Sequence, residues 1–184
     1  YTGLTNQGND YQQIYTGSYD EVYPYVNANI VPSIKLVSKV RETGSGSTRT
    51  QDFRYSGAVS HAKGLGLLGF KQIKKSNIYG NGVQTLWNIT DFDIQKRGSP
   101  LRDWVSTSSS GTPYSYISKN DYTYQTQLTA DKVFINVQSQ VASENTLTGI
   151  TSTKAFSYDS YYNPTTITTT LPGGSETSVQ QYIN

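Results

Sequence analysis

Pro164-Thr165-Thr166-Ile167-Thr168-Thr169-Thr170-Leu171 runs into Pro172-Gly173-Gly174-Ser175, and Glu176-Thr177-Ser178-Val179-Gln180-Gln181-Tyr182 leads out again. The first run is dominated by β-branched side chains, which are stiff at χ1 and fit a pleated surface better than a helix. Pro-Gly-Gly pre-sets one φ and frees the next two residues to take positive φ, which is turn chemistry. Residues 164–182 therefore read as strand, turn, strand.

The same grammar recurs upstream. Leu36 to Glu42 reads as a strand, Thr43-Gly44-Ser45-Gly46-Ser47 as a turn, and Thr48 to Tyr55 as the return, with Phe53 and Tyr55 on one face. Gly69 to Lys74 goes out, Tyr79-Gly80-Asn81-Gly82 turns, and Val83 to Ile89 comes back with Val83, Thr85, Trp87 and Ile89 on one face. A third unit joins Arg102-Asp103-Trp104-Val105, a Ser-rich turn over 106–111, and Tyr114 to Ile117. Tyr122 to Gln125 is a further strand. Val133 to Val137 is the most apolar strand, and it pairs across Glu144-Asn145 with Gly149 to Tyr158.

Residues 1–34 are less regular. Tyr11, Tyr15, Tyr19, Tyr23 and Tyr25 punctuate polar positions, and Pro24 and Pro32 break long elements. This part reads as an irregular lead-in with one or two short strands, and 35–184 as the hairpin-repeat segment. No window carries a helical apolar stripe for three turns. The best helical window, Gly57 to Lys63, allows two turns at most. The fold class is all-β: antiparallel hairpin repeats forming a twisted open sheet, each hairpin needing neighbours to bury its face.

Composition agrees. Of 184 residues, 34% are hydrophobic and 15% charged, below the roughly 45–50% and 25% of globular chains. Sixteen Tyr and sixteen Gly take up part of the difference. Disordered chains are aromatic-poor and charge-rich, so this balance points to sheets that are wet on at least one side. A net charge of +2 gives no footprint for nucleic acid, and Lys71, Lys74 and Lys75 read as a solvated strand face. There is no Cys, so disulfides and thiolate metal sites are excluded. No apolar run approaches the ~18 residues of a spanning helix. The lack of Met and of a signal peptide reads as a section of a larger parent.

Residues 53–70 read Phe53-Arg54-Tyr55-Ser56-Gly57-Ala58, then His61, then Gly64-Leu65-Gly66-Leu67-Leu68-Gly69-Phe70. This resembles a segment of bacterial YD-repeat shells, the Rhs proteins and the B components of insecticidal toxin complexes. There a strand ending Y-x-Y-x-G-A precedes G-R-G-F-L-G-F. Leu65 and Leu67 stand where Arg and Phe are common, while Gly57, Gly64, Gly66, Gly69 and Phe70 match. Tyr158-Asp159, followed by Asn163-Pro164 and Pro172-Gly173-Gly174, is similar to a YD repeat, with Tyr162 in the place of its usual Gly. The resemblance implies a spiral of β-hairpins around a hollow cavity that holds a C-terminal toxin. It implies a secreted or cell-surface bacterial location, with the rest of the shell and the toxin as partners. In physical terms, the glycines allow close backbone approach, and Leu67, Leu68 and Phe70 anchor the loop in the sheet.

No catalytic or cofactor constellation accompanies these motifs. A phosphate loop needs Gly-Lys-Ser/Thr before a helix, and Phe70-Lys71-Gln72 supplies neither. His61 is the one histidine and has no near carboxylate in sequence. No G-x-S-x-G elbow occurs. Asp91, Asp93 and Asp103 are the candidates for paired carboxylates, with Asp91-Phe92-Asp93 read as a strand end. Asn88-Ile89-Thr90 matches a glycosylation acceptor that a bacterial chain leaves unused. The tyrosines read as cross-strand pairs; the alternative is a carbohydrate-binding or adhesin-like β-module. Exposed edge strands would invite self-association.

Overall fold

The computed structural model describes residues 2–3, 14–29, 35–44, 46–80, 82–129 and 133–179. Expectations at Tyr11, Pro32, Ser45, Asn81 and Gln180 to Tyr182 lie outside these residues. The lead-in supplies short pieces: β1 (Thr2–Gly3), β2 (Tyr15–Thr16), β3 (Tyr25–Asn27) and β4 (Lys35–Leu36). Then come β5 (Lys39–Gly44), β6 (Ser47–His61), β7 (Gly66–Ser76), β8 (Trp87–Asp93) and β9 (Ser99–Ser106). The chain continues with β10 (Ser118–Leu128), β11 (Phe134–Asn145), β12 (Ile150–Tyr158), β13 (Pro164–Leu171) and β14 (Gly174–Val179).

From β6 to β14 each strand pairs antiparallel with the next, so the sheet is a meander in sequence order. Among the described residues the sheet has twelve strands and is open, with β14 paired only to β13. β6 is the pivot, because its fifteen residues are bonded on both edges. Phe53 N–H donates to the Ser38 carbonyl on one edge; Thr50 N–H donates to the Tyr79 carbonyl and Asp52 N–H to Ser76 Oγ on the other. β5, β2 and β3 divide the first edge among them, β2 running parallel to β6. β7 follows the second.

The hairpins at 39–52 and 164–179 form as their sequences require. β11 and β12 also form a hairpin, but through Gln140 to Asn145 and Ile150 to Ala155, while the apolar Phe134 to Val137 pair instead with Gln125 to Leu128 of β10. Other expectations are corrected. Gly57 to His61 is strand, not helix, because β3 and β7 pair with it from both sides. Val83 to Leu86 lie in the 77–86 connection rather than in the strand, which starts at Trp87. Tyr114 to Ile117 are not a strand either: β9 pairs with Ser118 to Asp121 instead.

Two buried clusters hold the sheet. Tyr15, Ala28, Leu36 and Ala58 form one, with Tyr55 and Phe70 packed against it. Trp87, Ile89 and Trp104 form the other, with Tyr116 against it. Burying each large apolar side chain contributes about 1.5–3 kcal/mol. The register puts Arg54, Lys74, Ile89, Trp104, Lys119 and Glu144 in one row across six strands. The 107–117 connection folds back over this row. Tyr116 Oη donates to Glu144 at 2.6 Å, Lys119 Nζ sits 5.0 Å from the Tyr116 ring, and Lys74 Nζ donates to the Ser109 carbonyl at 2.7 Å. A half-polar sheet thus dries one strip of one face by covering it with its own loop.

Candidate functional site

The Gly-rich stretch is built on backbone geometry. Gly57 interrupts β6 at φ 61°, and a Cβ there would meet Lys71 Cβ and Cδ at 3.0 Å. Gly69 has φ 132° beside a register shift, where β7 carries one residue more than β6. Gly64 and Gly66 turn the chain between the two strands, also at positive φ. Phe70 anchors the stretch, with its ring 5.0 Å from Tyr55 and 6.3 Å from Tyr15. Leu67 does not share that role: it is 44% exposed, and Leu65 50%.

Because Gly57 lacks a side chain, the Lys71 stem runs across it. Its ammonium donates to Asp20 at 2.7 Å and pairs with Glu21. The hydrogen bond from Lys71, then that from the Ser18 hydroxyl, hold the Asp20 carboxyl at about 2. Burial pulls the Lys71 ammonium down, but its bonds to Asp20 and Glu21 outweigh that and raise it above its ordinary value. The lead-in segment 14–29 is thereby fastened to the sheet at two points, Tyr15 in the core and Asp20-Glu21 on Lys71.

Tyr158 and Asp159 close β12. Tyr158 Oη donates to the Gln138 carbonyl at 2.5 Å. Asp159 Oδ1 accepts from the N–H of Tyr161 at 2.8 Å and of Asn163 at 2.9 Å, and Oδ2 accepts from Asn163 Nδ2 at 3.1 Å. These bonds, the Asn163 N–H first, hold the Asp159 carboxyl below its ordinary value. The turn leaves Tyr162 at φ 65°, a left-handed conformation that suits Gly.

Phe92-Asp93, expected as a plain strand end, carries a related device. Asp93 Oδ1 accepts from Lys96 N–H at 3.1 Å, and the Asp93 carbonyl accepts from Gly98 N–H at 2.9 Å. Arg97 and Gly98 have φ 60° and 74°. The signal is an aromatic-Asp pair with Gly98 five residues after the acid, where Tyr162 stands three after Asp159.

Of the three acids offered as possible partners, Asp103 lies apart from the other two. Asp91 and Asp93 line one groove, with Asp91 Oδ1 accepting from Gln72 Nε2 at 2.7 Å. Asp103 precedes the inward-row residue Trp104 by one and faces the opposite side, where it accepts from Asn120 Nδ2 at 3.0 Å and from Tyr122 Oη. Burial first, and that bond second, push the Tyr122 phenol well above its ordinary value. His61 packs edge-on against Tyr25 at 5.3 Å, and its Nδ1 accepts from Lys63 N–H at 3.3 Å. Among the described residues no three His, Asp or Glu side chains converge as metal ligands.

Two open grooves adjoin on the covered face. One, of about 600 Å³, runs past Glu21, Lys71, Gln72, Asp91 and Asp93 to Leu101. The other, of about 310 Å³, lies between Thr16, Arg54, Ser56, Lys74, Ser109 and Ser110. Arg54 stacks over Trp87 at 5.6 Å, and burial lowers the Lys74 ammonium below its ordinary value. No family model matches the chain, and neither does any curated protein or solved structure.

Proposed function

We propose that residues 35–184 are wall material of a YD-repeat, Rhs-type shell: a structural, non-catalytic stretch of a large secreted bacterial protein whose β-shell encloses a C-terminal toxin or effector. The observation that carries this reading is the 158–163 turn. A YD repeat has Gly where this chain has Tyr162, and Tyr162 occupies the backbone conformation that Gly would favour. Asp159 supplies the carboxylate that ties the turn together. The four glycines of the 57–69 stretch also have positive φ, which gives a physical reason for their spacing.

The sheet has the properties a wall needs. Neighbouring strands in sequence are neighbours in space, so adding hairpins lengthens the sheet without rearranging it. Among the described residues β14 is paired only with β13, so its other edge could take a further strand. The partners in this reading are the remainder of the same polypeptide and the enclosed domain. A glycan-binding surface has less behind it. The most exposed tyrosines, Tyr19, Tyr23, Tyr114 and Tyr161, are spread over the 17–24, 107–117 and 159–163 segments.

Cryo-electron microscopy of the parent polypeptide tests the proposal. The expected result is a hollow β-spiral in which β6 to β14 form consecutive rungs of the wall. A separate domain outside any shell, or a parent without a cavity, overturns it.

A further inference from the structure

Arg54 and Lys74 face each other directly across the β6–β7 pair. Like charges opposite one another destabilise a sheet, and burial of Lys74 adds to the cost. Among the described residues neither side chain forms an ion pair with any carboxylate. Asp91 is the acid whose field reaches Lys74, and one of its oxygens is occupied by Gln72. Both cations are nevertheless held in place. Arg54 Nη1 donates to the Phe53 carbonyl at 2.9 Å while the guanidinium lies over Trp87. Lys74 donates one proton to the Ser109 carbonyl at 2.7 Å. Arg54 and Lys74 both line the 310 Å³ groove, together with Thr16, Tyr55, Ser56, Gln72, Ser109 and Ser110.

We infer that this groove is a binding site for a small oxyanion, a phosphate or a carboxylate, seated between Arg54 and Lys74. A guanidinium fork donates to two oxygens of such a group, and an ammonium donates as a point charge to one of the same oxygens or, in a phosphate, to a third. The bound anion would relieve the repulsion that the empty pair carries. The volume is at the low end of the ~300–1,000 Å³ range of ligand sites, which suits a small anion or the tip of an acidic side chain.

The test is thermal unfolding and NMR titration of the chain with sodium phosphate and, separately, sodium acetate, at constant ionic strength. Arg54→Gln and Lys74→Gln are measured beside the parent. Saturable shifts are expected at the amides of 54–56, 72–74 and 109–110, with a rise in Tm. Each variant should bind about tenfold more weakly or worse, the loss of one charge-assisted hydrogen bond. Lys74→Gln should also be the more stable protein without anion, because the repulsion is gone. A response to phosphate alone identifies a free tetrahedral anion. A response to acetate identifies a carboxylate, as an acidic side chain would present. No saturable response to either, or equal Tm rises in parent and variants, overturns the inference. If Arg54→Gln fails to fold, the Lys74→Gln comparison alone decides.

Discussion

The hydroxyl of Tyr15 accepts a hydrogen bond from the backbone N–H of Ala58 at 3.2 Å, across 43 residues of sequence. It donates in turn to Asn29 Oδ1 at 3.1 Å. Ala58 is fully buried and sits one residue past the Gly57 kink. The Ala58 N–H thus takes its partner from a side chain of the lead-in, and the lead-in is part of the sheet's hydrogen-bonding rather than a loose leader.

Tyr15→Phe keeps the ring against Phe70 and removes that acceptor. A buried donor left without a partner costs about 1–3 kcal/mol. Urea unfolding of Tyr15→Phe should show a loss in that range with an unchanged m-value. A midpoint equal to the parent's would mean the Ala58 amide finds another acceptor.

The Lys71–Asp20 contact predicts an acid-sensitive fastening. The Asp20 carboxyl is held at about 2 against an ordinary 3.8. A depressed carboxyl contributes stability that is present above its unfolded value and lost as pH falls through its folded value. The contribution should therefore be full at neutral pH and fade as pH drops from 3.8 toward about 2. Asp20 is solvent-exposed, so salt should weaken the contact further. Limited proteolysis should cut the 17–24 segment faster at low than at neutral pH. In Asp20→Asn the neutral-pH protection should already be reduced. Proteolysis that is independent of pH and of this substitution would contradict the expectation.

Much of the sheet is legible in the sequence, and what is missed has particular causes. The 164–179 hairpin is readable because a β-branched run abuts Pro-Gly-Gly, so local preference and final structure agree. Gly57 to His61 carries no such preference; its extended state comes from pairing with Tyr25–Asn27 and Gly66–Phe70, both set by tertiary structure. Tyr114 to Ile117 look like strand, but Tyr116 gains more by covering Trp87, Ile89 and Trp104 and bonding Glu144. The β8–β9 turn is hard to read because only the second of its two left-handed positions is Gly98, while the first is filled by Arg97 rather than by Asn or Gly. Of the grooved face, the Arg54–Lys74 pairing is set by the β6–β7 register, which shifts at Val59/Ser60 and is not announced by the hairpins the sequence suggests. The Lys71–Asp20 link, 51 residues apart, has no local signature.

Tyr162 at φ 65° predicts a gain from substitution. A non-Gly residue held in this region carries strain of about 1 kcal/mol or more. Tyr162→Gly removes it and gives up only an exposed bond to Gln127 at 2.8 Å. Thermal unfolding should show a stabilisation of about 0.5–1 kcal/mol. The converse change, Gly149→Ala at φ 66° in the preceding turn, should destabilise by a similar amount. If both changes shift Tm in the same direction, backbone strain does not govern these turns.

Gly57 carries two separable constraints, its φ of 61° and the Lys71 stem lying against it. Gly57→Ala should cost about 1–3 kcal/mol, since the strained backbone is compounded by a contact at 3.0 Å. The clash part can be relieved: Lys71→Ala deletes Cγ and Cδ, two of the three crowding atoms, and leaves Cβ. A double-mutant cycle should therefore show that Gly57→Ala costs less in the Lys71→Ala background than in the parent. The residual cost is that of the left-handed backbone plus the contact with the Cβ that remains at position 71, at 3.0 Å. Strict additivity would show that the stem accommodates the methyl by shifting, and that φ is the whole reason for glycine at this position.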